Sequence, residues 1–345
     1  SNSNNSDKRV IVFSLPRVTW KELIKVDTPN IDKLISAGSI ASMSVKTLGS
    51  VANPAEGYAT ISAGSRAAID QSYGSSYLKQ GESYSGRDAL DIYTEQRGTP
   101  TIKNAVALGL GFEKSLNANE KSLNISKLGS FADALHKGKK TIAVFGNADK
   151  CLDDSSGCFG RSIGYLGTDK NGIVRYGDLS RELLEKTNDS LTTLPSLDND
   201  VVATKVKDSL KSNDVNVVEC SDLERIESTR NVTKDAIANK NFSDAIVKCD
   251  ELIGKILPSI SLTKDQVYVI AASSPRSLAQ TTVFIAAGNG ILQGYATSST
   301  TRQQGLVSLV DISPTILKFL GVAKPDVMSD TLLDWQKDGS SNEAR

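Results

Sequence analysis

The sequence predicts an α/β domain built on a mostly parallel sheet. Apolar runs at residues 10–13, 267–272 and 283–287 have the form taken by strands buried on both faces, and 141–146 and 215–218 also read as strands. Segments with helical start and stop signals lie among them, chiefly 28–38, 243–257 and 313–321. Strands alternating with helices wind into such a sheet.

Taken in order, residues 10–13 form the first strand, and a helical segment starts near Trp20. In 28–38, Thr28 is the expected cap, Pro29 takes the first helical position and Gly38 stops the helix. Residues 42–46 alternate like a strand. They lead to Asn53-Pro54-Ala55-Glu56-Gly57-Tyr58-Ala59-Thr60-Ile61-Ser62-Ala63-Gly64, a helix with Asn53 as N-cap and Gly64 as stop. Residues 70–125 are rich in Ser, Gly, Tyr and Asn and read as an insertion of loops and short helices, with 102–109 helical. A helix at 131–136 precedes the strand at 141–146, and 163–174 reads as a hairpin around Asp169-Lys170-Asn171-Gly172. In 243–257, Ala245, Ile246, Cys249, Leu252, Ile253 and Ile256 share one face. In the last helix Ser313 is the expected cap and Pro314 its first residue.

The organisation expected is one domain over residues 8–335, a disordered tail at 1–7 and a polar tail at 336–345. Forty basic and forty acidic residues cancel, so neither a nucleic-acid-binding block nor an acidic solvating arm is implied. The apolar runs are too short to span a bilayer, and no signal peptide is visible. The polar tails suit a soluble piece of a longer, membrane-attached protein. Cys151 and Cys158 flank a polar, turn-rich loop. That spacing suits a local disulfide and an oxidising, extracytoplasmic compartment, with free thiols as the alternative. Cys220 and Cys249 read as buried small hydrophobes.

The order of parts resembles the alkaline phosphatase superfamily, which includes sulfatases and phosphoglycerate mutases. Residues 28–38 are similar to that family's TPNLDRLAAEG helix, and Asp311-Ile312-Ser313-Pro314-Thr315-Ile316-Leu317-Lys318-Phe319-Leu320-Gly321-Val322 is similar to its DIAPTLLDLLGI. The helix and strand across 131–149 match a further step, and Ala63-Gly64 stands where the nucleophile helix ends in a T-G-like pair. The likeness spans about residues 8–66, 128–148 and 243–325 in family order. It implies a three-layer α/β/α fold with the loop-rich insertion near 70–125.

The resemblance also implies two metal ions, held by Asp and His at strand ends, that polarise a phosphoryl or sulfuryl group. This chain departs from that pattern. Pro16 stands where the first Asp would be, and no Ser or Thr lies at 52–54, Ser50 being the nearest hydroxyl. Ser273-Ser274-Pro275-Arg276-Ser277 replaces the Asp-His-Gly block, and 297–305 lacks the later His. His136 is the only histidine and reads as a surface or capping group in the last turn of its helix. Asp149, Asp153 and Asp154 crowd one loop, which reads as solvated rather than as a Ca²⁺ site. No G-x-S-x-G elbow, P-loop or G-x-G-x-x-G fingerprint occurs.

What remains at the expected strand ends is small and polar: Ser14, Thr300 and Thr301, with Arg17, Asn53, Glu56, Ser273, Ser274, Arg276 and Arg302 as candidate anion-binding residues. Arginines and hydroxyls beside a helix N-terminus can hold an anion without metal. The leading expectation is therefore a non-catalytic, extracytoplasmic alkaline-phosphatase-like domain, bacterial in type. It would use no cofactor and bind a protein partner or an anionic ligand. The alternative is a metal-dependent hydrolase of phosphate or sulfate esters with a rearranged site. A purely structural envelope module is a third reading.

Overall fold

A computed structural model describes residues 8–49, 52–121, 126–186, 194–276, 281–301 and 303–337. Its main sheet comprises β1 (Val10–Ser14), β2 (Ser39–Ser44), β3 (Ile142–Phe145), β4 (Tyr176–Asp178), β5 (Val215–Glu219), β6 (Gln266–Ile270), β7 (Thr281–Gly288), β8 (Gly294–Ser298), β9 (Leu306–Ser308) and β10 (Leu333–Lys337). The order is β10-β8-β2-β7-β6-β1-β5-β3-β4, with β9 also on β2. The block β6-β1-β5-β3-β4 is parallel throughout, and β7 runs antiparallel to both β6 and β2. The sheet is thus mostly parallel, as expected.

Among the helices that cover it are α1 (Pro29–Ala37), α2 (Pro54–Ala63), α3 (Ser130–Lys137), α4 (Asn199–Ser209), α5 (Asp235–Ile256) and α6 (Ile312–Phe319). Alternate residues of β1 point to opposite faces. Val10 and Val12 pack in one core with side chains of α2, α3 and α6, while Ile11 and Phe13 pack in another with α1, α4 and α5. Three layers follow from that division. None of the described helices is long and apolar enough to cross a membrane.

Several local expectations need correction. Residues 102–109 are not helical: 107–109 form a strand between Tyr77–Leu78 and Ile173–Val174. That small sheet lies within and beside the insertion, so the segment is more than loops and helices. Its short strands gain their order from partners distant in sequence, which local periodicity cannot show. The same pairing dissolves the hairpin expected at 163–174, where 164–167 is a helical turn. Helix α6 begins at Ile312 rather than Pro314, running on from a 3-10 turn at Leu309–Asp311 that Ser308 and Asp311 cap reciprocally. Thr28 makes no side-chain cap to α1. The Asp250 carboxylate on α5 accepts from Asn30 N at 3.3 Å and Ile31 N at 2.8 Å instead. The final strand reaches Lys337, into the stretch expected to be a tail; residues 1–7 and 338–345 lie outside the described ones.

Cys151 and Cys158 are joined, their Cα atoms 5.1 Å apart. Cys220 and Cys249 are joined as well, with Cα atoms 5.6 Å apart, which overturns their reading as separate buried hydrophobes. Cys220 directly follows β5, and Cys249 lies on the face of α5 packed against that side of the sheet. The apolar phase of α5 therefore carries its cysteine onto a residue 29 positions earlier.

Candidate functional site

Parallel α/β sheets place their clefts beyond the C-terminal strand ends. Here Ser14, the last residue of β1, is in register with Glu219, the last of β5. Helix α2 crosses above them. Its Gly57 sits so close to the Ala272 carbonyl that any side chain would collide, and Gly64 ends it at φ 65°. This close seating brings Tyr58, one turn into the helix, onto the strand ends. Ser14 Oγ lies 2.7 Å from Tyr58 Oη, Tyr58 Oη donates to Glu219 Oε2 at 2.6 Å, and Ser221 Oγ donates to Glu219 Oε1 at 2.6 Å. Burial pushes the Glu219 carboxyl up to about 7, against the opposing hydrogen bonds from Ser221 and Tyr58.

The chain leaves β1 through Leu15 and Pro16 to Arg17, whose backbone is left-handed at φ 68°. The Arg17 guanidinium grips both oxygens of Glu224, Nε to Oε2 at 2.9 Å and Nη2 to Oε1 at 3.2 Å, and Nη1 donates to the Ser274 carbonyl at 3.3 Å. Burial raises the Glu224 carboxyl; Arg17 opposes it without cancelling it. Arg17, Asn53, Glu219 and Glu224 border a cleft of about 390 Å³. Gln71 and Ser75 of the insertion and Ser162 line it too, and Lys150, Ser156 and Gly157 bring in the loop closed by the Cys151–Cys158 bond.

A second polar network lies beneath that rim. Arg161, almost fully buried, donates to both oxygens of Glu82 at 2.7 and 2.8 Å and to both oxygens of Asp149 at 3.2 and 3.0 Å. Arg181 Nε reaches Asp149 Oδ2 at 2.9 Å and its Nη1 donates to the Leu152 carbonyl at 2.8 Å, which anchors the disulfide loop. Burial opposes ionisation of Asp149, but Arg161 outweighs it and holds the carboxyl below its ordinary value. Asp149 is therefore an internal counter-charge, not part of a solvated acidic loop.

The candidate anion-binding residues are placed unevenly. Arg17 and Asn53 face the cleft, but Asn53 Oδ1 caps α2 by accepting from Glu56 N at 2.9 Å. Glu56 turns to Thr47 Oγ1 at 3.2 Å, and burial raises its carboxyl above the ordinary range. Ser274 is paired with Ala52, its Oγ accepting from Ala52 N at 2.9 Å and its N donating to Ala52 O at 2.8 Å. Ser273 is buried with its Oγ unpaired. Arg276 points elsewhere, to Asn239 at 3.0 Å and Asp235 at 3.1 Å, beside a separate depression with Lys25 and Arg230. Thr300 donates to Asp311 at 2.6 Å, and Thr301 to the Leu306 carbonyl at 2.5 Å; both brace the β8–β9 connection. Ser50 and Arg302 lie outside the described residues.

His136 differs from expectation: both ring nitrogens are buried and unpaired, and burial, helped by the Arg175 charge, lowers its pKa to about 4. The sequence reading missed Tyr58, Glu219 and Glu224. The available signal was Glu219 itself, a carboxylate ending the strand-like segment Val215-Asn216-Val217-Val218.

The strand-end donors do not suit the metal pair that the family resemblance implies. Glu219 is held by two hydroxyls and Glu224 by Arg17, and neither imidazole nor thiolate lines the cleft. Among the described residues, the one cluster of potential ligands is Cys151, Asp153 and Cys158, and its two sulfurs are bonded to each other.

No protein-family profile matches the chain. No curated protein matches it either. Solved structures do. The lipoteichoic acid synthase LtaP from Listeria monocytogenes aligns at 14% identity and TM-score 0.54, over 94% of this chain and 75% of that one. Murine ectonucleotide pyrophosphatase/phosphodiesterase 5 aligns at 9% identity and TM-score 0.51, over 92% and 96%. A protein in the alkaline phosphatase superfamily from Vibrio parahaemolyticus aligns at 10% identity and TM-score 0.48, over 96% and 69%. At these identities the likeness is one of fold.

Proposed function

On the premise that this chain has the alkaline-phosphatase-like fold, we propose that it is a non-catalytic member of that architecture, working outside the cytoplasm as a binding domain. The observation that supports this most is the pairing of its strand-end carboxylates with its own donors. Tyr58 and Ser221 occupy Glu219, Arg17 occupies Glu224, and Pro16 offers no ligand atom at the end of β1. A catalytic zinc takes three protein ligands and keeps an open position. Freeing these carboxylates would leave Arg17 with only the Ser274 carbonyl and the Tyr58 hydroxyl with only Ser14, a loss of buried partners that is costly.

Location outside the cytoplasm is supported by the two disulfides, a type of bond that persists in oxidising compartments. The preformed cleft, walled partly by the insertion, is the natural place for a ligand. The test is hydrolysis of p-nitrophenyl phosphate and p-nitrophenyl sulfate with added Zn²⁺ or Mn²⁺, compared with EDTA. No metal-dependent turnover is expected. Turnover abolished by EDTA would establish the hydrolase reading instead.

A further inference from the structure

We infer that the cleft takes a neutral, polyhydroxylated ligand of the saccharide class, held by hydrogen bonds from its hydroxyls to Glu224 and Glu227. The inference rests on the binding-domain reading and adds the chemistry of the ligand.

The charges of the cleft nearly balance and give an anion no net attraction. Three glutamates line it against Arg17 and Lys150, and Arg17 is already committed to Glu224 and to the Ser274 carbonyl. The start of α2 adds little: Pro54 has no N–H, Asn53 Oδ1 takes Glu56 N, and the Asn53 carbonyl takes Gly57 N at 3.0 Å. A phosphate or sulfate ester would find Lys150 as the cation in the lining that is not already paired with a carboxylate, among three glutamate side chains.

A cation is disfavoured as well. Glu224 is neutralised by Arg17, Glu227 accepts from Arg230 Nε at 2.8 Å, and Lys150 stands exposed at the rim. What the glutamates retain is acceptor capacity. A carboxylate offers about four lone-pair sites, and each Glu224 oxygen carries one bond in this structure. Ser75 and Ser162 Oγ, 2.7 Å apart, and the Gln71 amide add groups that both donate and accept. Spare acceptors, adaptable hydroxyls and nearly balanced charge match a ligand that is itself a dense array of hydroxyls.

An array of neutral, sulfated and phosphorylated oligosaccharides, probed with the full disulfide-bonded chain, tests this. Neutral members should bind, with affinity insensitive to salt because no net charge is exchanged. Gln71→Ala should weaken that binding roughly tenfold, on the scale of one lost hydrogen bond, with an unchanged melting temperature. Binding confined to sulfated or phosphorylated members, binding to none, or full affinity in Gln71→Ala would each overturn the inference and leave the non-catalytic reading standing. Release of sulfate or phosphate from the array would overturn the non-catalytic reading itself.

Discussion

Tyr58 Oη donates to Glu219 Oε2 at 2.6 Å, and this bond ties helix α2 to the end of strand β5 at the floor of the cleft. Both residues are essentially fully buried. The phenol also meets Ser14 Oγ at 2.7 Å, so one side chain links β1, β5 and α2. Tyr58→Phe would leave Glu219 and Ser14 each short of a partner. A loss of about 2 kcal/mol in urea-unfolding stability is expected; a loss within error would show that the cluster is satisfied by water.

The Glu219 carboxyl is raised from 4.5 to about 7 by burial. Between those values the folded state binds more protons than the unfolded one. Its stabilising share is complete below about pH 4.5 and lost as pH rises through about 7. At about 1.4 kcal/mol per pH unit between the two pKa values, the amplitude is on the order of 3 kcal/mol. Glu219→Gln, which resembles the protonated form, should flatten the fall in stability across that range; an unchanged profile would contradict the assignment.

His136 acts in the opposite sense. Burial, then the Arg175 charge, lowers its pKa from 6.5 to about 4. Its share of stability is present above about pH 6.5 and lost as pH falls through about 4. His136→Leu should therefore reduce destabilisation on the acid side, and combining it with Glu219→Gln should leave stability least dependent on pH. Acid sensitivity untouched in His136→Leu would show that the ring is solvated.

The two disulfides should contribute unequally. In the chain-entropy view a bridge between residues 29 apart constrains the unfolded chain more than one between residues 7 apart, about 3.5 against about 2.5 kcal/mol. Paired Cys→Ser variants, Cys220 with Cys249 and Cys151 with Cys158, measure this by denaturant midpoint. Alkylation of the unreduced, denatured chain should label none of the four cysteines.

Asp250 is the clearest stabilising contact between two distant helices. It is buried on α5 and caps the start of α1 through Asn30 N and Ile31 N. Asp250→Ala should cost about 1–2 kcal/mol, and Thr28→Val much less, since the Thr28 side chain makes no cap to that helix. The reverse ranking would restore Thr28 as the cap.

These cases show what the sequence could disclose. The run from Val10 to Phe13, the Pro29 start of α1, and Asn53 with Gly64 around α2 are local signals, and the structure follows them. Features set by distant partners were hidden. Residues 107–109 become a strand between two others, Asp250 displaces Thr28, and Cys220 meets Cys249. The site divides in the same way. That Arg17 and Asn53 border the strand-end cleft was legible. Its actual composition was not, because Tyr58 reaches Glu219 only when α2 lies close against Ala272, and Arg17 reaches Glu224 only from a left-handed backbone.

The central claim is that the strand-end carboxylates are engaged by the protein's own donors and do not form a metal centre. Metal stoichiometry measures this most directly: the full chain is equilibrated with Zn²⁺ and Mn²⁺, desalted and analysed by inductively coupled plasma mass spectrometry. Substoichiometric metal is expected, with no change on replacing Glu219 by Gln. One or more ions retained per chain, and released in Glu219→Gln, would contradict the account and place a metal centre at the ends of β1 and β5.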